Sequence, residues 1–129
     1  MSGLFDRHPK LRIVLGHMGE GLPFRLQRLD NRYSLQVKIG AVKKLPRLPS
    51  EYSRDHFAIT TSGVAFAPAL KLCLEVLGAD RIMFAADYPC ESVAEAVACM
   101  DTVEIGDDAR RAILAGNAGR CFGLGSAGG

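Results

Sequence analysis

No apolar run among the 129 residues reaches the roughly 18 that a membrane-spanning helix needs. The opening MSGLFDRHPK also lacks the apolar core of a secretion signal, so no membrane partner is expected. The four cysteines, Cys73, Cys90, Cys99 and Cys121, show no C-x-x-C spacing. They read as reduced thiols in a cytoplasmic chain. Neither H-x-H nor H-E-x-x-H occurs anywhere. An excess of one charge is missing as well: 16 Lys and Arg against 14 Asp and Glu leave a formal net charge of +2. That is too little to argue for a nucleic-acid partner, and no nucleic-acid-binding motif accompanies it. Lys43, Lys44 and Arg47 form a small basic cluster that reads as a solvated loop face.

What is present is the profile of a folded globular chain, 48% apolar and 23% charged with the signs mixed, and long enough for one domain. Leu11 to Gly16 reads as a first strand, its consecutive apolar residues Ile13, Val14 and Leu15 being those expected of a strand buried on both faces in a parallel sheet. Pro23 suits the first turn of a helix, and Phe24, Leu26, Leu29, Tyr33 and Val37 follow at roughly helical spacing. Gly40, Pro46 and Pro49 break the next stretch into a loop. Phe57 to Thr61 reads as a second strand, and Pro68 leads a helix to Leu77 that Gly78 stops. A third strand is expected over Arg81 to Ala86, then a helix from its N-cap Ser92 to Met100. A last helix begins near Asp107 and continues through Leu114, with a short turn over Asn117 to Phe122. Residues 125–129 read as a flexible tail. Three strand–helix repeats imply an α/β fold with parallel strands and right-handed crossovers.

Functional groups gather at the carboxyl ends of such strands. These three ends carry His17, then Thr61 and Ser62, then Asp87. A lone histidine there is commonly a structural hydrogen-bonder, and a lone aspartate a helix cap. Three polar ends on one rim argue for a site. His17 could act as a general acid or base or ligate a metal. Glu20, three residues on, could brace its ring. Asp87 could ligate a divalent ion or take a proton from a bound water. His8, in a polar turn before Pro9, and His56, at the opposite end of the second strand, read as structural or exposed.

The stretches FDRHPKLRIVLGHMGEGLPFRLQRLDNR, LPSEYSRDHFAITTSG and GADRIMFAADYPCES, with the closing NAGRCFGL, resemble the amidohydrolase superfamily. The branch they resemble is the metal-dependent, non-oxidative decarboxylases of aromatic and related acids. The resemblance implies the C-terminal three βα units of a (β/α)8 TIM barrel over residues 1–124, with parallel strands and outer helices. It also implies a divalent metal, zinc or manganese, at the carboxyl ends of the strands, and a small carboxylic-acid substrate. His17 matches the family histidine beside the substrate, Glu20 the glutamate paired with it, and Asp87 the metal-binding aspartate of the last strand. Phe24, Arg28 and Tyr88 are carried over as substrate-side residues. A subunit contact or plain surface role stays open for Arg28, and a core role for the two aromatics.

The chain departs from the family pattern in what it lacks. The first-strand Glu-x-His or His-x-His ligands and the fifth-strand histidine have no counterpart. The expectations are therefore a chain that holds no metal tightly alone and does not turn over alone. Open sheet edges and a bare inner face would drive self-association. A metal-dependent hydrolase or hydratase of the same superfamily and a non-catalytic fragment are the alternative readings.

Overall fold

Three short parallel strands frame the computed structural model, which describes residues 2–124. They are β1 (Ile13–Leu15), β2 (Phe57–Thr60) and β3 (Ile82–Met83), in the order β1-β2-β3. Leu15 pairs with Ile59, and Ile59 with Ile82, so one row of branched side chains crosses the sheet on a single face. Beneath that row lies the core, where Ile59 and Ile82 join Met18, Leu70, Cys73, Met100, Val103 and Ile113. Fully burying one such aliphatic side chain is worth about 1.5–3 kcal/mol.

The helices follow their local signals, with two corrections. Helices α1 (Leu4–Arg7) and α2 (Leu22–Lys38) flank β1, and Pro23 lies in the first turn of α2. Pro49, expected in a loop, instead opens α3 (Pro49–His56). Its missing N–H falls where a helix has no use for one, and the Glu51 carboxylate accepts the Leu48 N–H at 2.6 Å. Helix α4 (Ala67–Leu77) ends at Gly78, whose φ is 87° and whose N–H bonds to the Leu74 carbonyl. Helix α5 (Val93–Thr102) is capped by Ser92, which accepts from the Glu95 N–H as expected. Helix α6 (Asp107–Arg111), a π turn (Ala112–Gly116) and α7 (Asn117–Phe122) follow one another without a break. Asn117 to Phe122 is thus helical where a short turn was expected. The Asn117 amide does not compete with its own helix. It is buried and donates instead to the carbonyls of Ala79 (2.7 Å) and Ile82 (2.6 Å).

Strands β1 and β3 are shorter than the apolar runs that contain them, because side chains take over the pairing. Beyond Met83 the Thr61 hydroxyl accepts from the Ala85 N–H (3.0 Å) and donates to the Ala85 carbonyl (2.9 Å). The Phe84 N–H donates to the carbonyl of Ile113 in the π turn (2.8 Å), where the helical ladder is loosened. That bond covers the outer edge of β3. Among the described residues β1 pairs only with β2, and Val14 on it is exposed. The accessible surface is 8218 Å², against about 6,700 Å² for a folded monomer of this mass. Among the described residues no helix is long and apolar enough to cross a membrane, and all four cysteines are free thiols. The expected tail, residues 125–129, lies outside the described residues.

Asn117→Ala should take the amide from the buried Ile82 carbonyl, while the part-buried Ala79 carbonyl keeps the Ile82 N–H, and lower the unfolding free energy by about 1–3 kcal/mol, measured by urea denaturation. A loss below about 0.5 kcal/mol would show that the amide does not tie α7 to β3.

Candidate active site at the carboxyl ends of the strands

Beyond β1 the chain turns with the wrong hand for L-residues. From His17 to Gly21 the φ angles are 50°, 52°, 75°, 51° and 76°. The left-handed region costs about 1–2 kcal/mol per residue outside glycine, so His17, Met18 and Glu20 together cost about 3–6 kcal/mol. Several contacts oppose that cost. Met18 is 5% exposed and sits in the core with Ile59 and Cys73. The Gly19 N–H reaches the Gly16 carbonyl at 2.7 Å. The His17 N–H donates to Ser62 Oγ at 3.2 Å, and Ser62 shares a 2.8 Å hydrogen bond with Thr60. The turn therefore buries Met18 and Gly19 and leaves His17 and Glu20 exposed. Asp87 adds a φ of 73°. The non-glycine residues of positive φ among those described are His17, Met18, Glu20 and Asp87, so backbone strain concentrates on the candidate site.

The geometry brings the three leading residues together. His17 Nδ1 lies 2.9 Å from Glu20 Oε1, and Nε2 lies 3.3 Å from Asp87 Oδ2. Ionised carboxylates only accept, so the doubly protonated ring satisfies both. The His17 pKa is accordingly raised above its ordinary 6.5, first by the hydrogen bond to Asp87. Loss of solvent opposes this, and the charges of Glu20 and Asp87 add to it. The side chains of His17, Glu20 and Asp87 are 44%, 73% and 36% exposed. A small molecule can reach them without any rearrangement, and the pairs add little to stability. The arrangement can hold a proton at Nε2 and release it to a bound molecule.

The other predicted residues stand apart. Phe24 and Tyr88 are 78% and 79% exposed, which removes the core reading for both. Arg28 is exposed on α2 and forms no ion pair among the described residues. His56 is buried at the far end of β2, where Nδ1–H donates to the Leu11 carbonyl (2.9 Å) and the ring stacks on Phe5. It is structural, as expected, and His8 is exposed. Gly63, not singled out from the sequence, lies directly against the His17 ring. Only a contact across space shows that.

Among the described residues no three His, Cys, Asp or Glu side chains converge as metal ligands. His17 and Asp87 offer two donors, where a protein site for zinc takes three or four. The residues present do not make a metal site by themselves.

The amidohydrolase family model matches residues 1–124. The chain belongs to the amidohydrolase family. It is 41% identical over 128 residues to the gamma-resorcylate decarboxylase of Rhizobium sp. (strain MTP-10005), covering 95% of this chain and 37% of that one. The solved 5-carboxyvanillate decarboxylase of Sphingomonas paucimobilis is 50% identical with a TM-score of 0.89, over 94% of this chain and 36% of that one. The dihydroxybenzoic acid decarboxylase of Polaromonas sp. JS666, solved with manganese and 2-nitroresorcinol, is 38% identical. Its TM-score is 0.80, over 95% of this chain and 37% of that one. This amidohydrolase chain thus spans about 37% of the length of the curated relatives it matches.

The raised His17 pKa has a definite sign. The stability it contributes is fully present below about pH 6.5 and is lost as the pH rises through the higher folded-state value. An NMR titration should place the His17 midpoint above 6.5, and Asp87→Asn should bring it down. A midpoint that does not fall in Asp87→Asn would remove Asp87 as the dominant partner.

Proposed function

We propose that this chain forms the C-terminal three βα units of a (β/α)8 barrel, over residues 1–124, in a cytoplasmic, metal-dependent, non-oxidative decarboxylase of small aromatic carboxylic acids. The observation that carries this reading is the His17 ring braced on both nitrogens by carboxylates at the rim of parallel strands. The likeness to relatives named as decarboxylases supports it.

In this reading Asp87 supplies one carboxylate to a zinc or manganese ion whose other ligands come from outside this chain. Such an ion would supply positive charge for the substrate's carboxylate. The chain's own part is proton handling. His17 holds a proton at Nε2 and delivers it to the ring carbon that bears the carboxylate. The bond to that carboxylate then breaks, carbon dioxide leaves, and the electron pair of the broken bond restores the aromatic ring. Glu20 at Nδ1 keeps the imidazole oriented and stabilises its protonated form. Phe24, Arg28 and Tyr88, exposed nearby in sequence, are the residues of this chain proposed to meet substrate.

The same reading makes the isolated chain a self-associating species without turnover. Two metal donors are too few. The accessible surface of 8218 Å² exceeds the monomer expectation by about 1,500 Å², about twice the roughly 800 Å² that a standard interface removes from one partner. Light scattering should show a defined oligomer, and a monodisperse monomer would refute the association. A chimera tests the catalytic part: this chain replaces the matching segment of the 5-carboxyvanillate decarboxylase of Sphingomonas paucimobilis. The expected chimera releases carbon dioxide, loses metal and turnover with Asp87→Ala, and with Glu20→Gln is slowed mainly in kcat. A folded, metal-loaded chimera without decarboxylation would sink the reading, as would full activity in Asp87→Ala.

A further inference from the structure

The turn that follows β2 lies under the His17 ring, and its shape there is specific. A Cβ built on Gly63 would lie 2.5 Å from His17 Cδ2, 3.1 Å from Nε2 and 3.3 Å from Asp87 Oδ2. The first contact is closer than carbon atoms tolerate. The space a side chain would need at Gly63 is therefore the space the imidazole uses to reach Asp87. One residue earlier, Ser62 Oγ holds the His17 backbone N–H at 3.2 Å. Adjacent positions just past β2 thus fix the backbone of His17 and make room for its ring.

We infer that Gly63 is a positioning residue for His17, setting the ring orientation that places Nε2 against Asp87; its catalytic consequence rests on the decarboxylase reading above. With a methyl group at this position the ring cannot stay where it is. The ring is half exposed, so it has an outward escape, and rotation about its own side-chain bonds separates Nε2 from Asp87. The Nδ1 contact with Glu20, on the same turn, does not hold the ring against that rotation by itself.

Gly63 also has a φ of 64°, where any L-residue is strained, and the two effects must be separated. Gly40 serves as the control: its φ is 73°, and a Cβ there meets nothing within 4 Å. Gly63→Ala and Gly40→Ala carry the same kind of backbone strain, and only the first meets the ring.

The experiment records the imidazole nitrogen and proton shifts of His17 at one fixed pH, with His8 and His56 as internal references, and the thermal midpoint of each variant. Gly63→Ala should move the His17 resonances and leave those of His8 and His56 in place, while Gly40→Ala should move none of them. In a His17→Ala background the thermal loss caused by Gly63→Ala should shrink to that of Gly40→Ala, because the colliding ring is gone. Unmoved His17 resonances in folded Gly63→Ala would overturn the inference. So would a thermal loss that is the same with and without the ring. If Gly63→Ala alone does not fold, folding of the His17→Ala, Gly63→Ala pair supports the inference, and failure of both overturns it. No readout depends on turnover, so the positioning can fail while the decarboxylase reading stands, and the reverse.

Discussion

Burial of Met18 holds His17 and Glu20 at the rim. The two site residues and the methionine between them occupy left-handed backbone, which no L-residue prefers. The strain of about 3–6 kcal/mol exceeds the roughly 1.5–3 kcal/mol that one buried methionine returns. The remainder must come from the hydrogen bonds that close the turn onto Gly16, Ser62 and Cys73. Glycine at 19 and 21 keeps the sum within reach, since both adopt this hand without penalty. The result is a Glu20 carboxylate folded back onto His17 Nδ1. In an extended chain, residues three apart are separated by about 10 Å, and that pair could not form.

The strand ends depend on one another through hydroxyl groups. Thr60 and Ser62 bond to each other and, through Ser62, to the backbone of His17. Thr61 faces the other way and binds both backbone groups of Ala85, two residues before Asp87. Thus β2 supplies side-chain partners to both neighbours at the point where the regular ladder ends. The separation of His17 and Asp87 is set by this middle strand as much as by their own strands.

How much of this was legible in the sequence depended on whether the signal was local. Consecutive apolar residues marked the strands, and Pro23, Pro68, Gly78 and Ser92 marked helix ends, because each acts on its own turn. Pro49 misled because the same residue breaks a loop or opens a helix. The difference lay in Glu51, whose carboxylate caps the Leu48 N–H. Asn117 misled because its turn tendency vanishes once the amide binds carbonyls 35 and 38 residues away. His17, Glu20 and Asp87 were legible as polar groups at or just past strand ends, and the roles proposed for them come from family resemblance. The left-handed turn and the closeness of Gly63 were not legible, since neither leaves a pattern in residue type beyond a few glycines.

Two deficits in the chain have a common form. Among the described residues the site offers two donors where a metal needs more, and the sheet leaves β1 paired on one side only. The two edges are unequal: β3 is covered through the Phe84 bond to Ile113, while Val14 on β1 is exposed. Strands added beside β1 would cover that edge, remove the excess surface and bring further side chains to the same rim. A second copy of this chain could cover the edge but would present the same donors again, one imidazole and one carboxylate. Self-association therefore answers the surface deficit more readily than the ligand deficit, which is why an oligomer without turnover is the coherent expectation for the chain by itself.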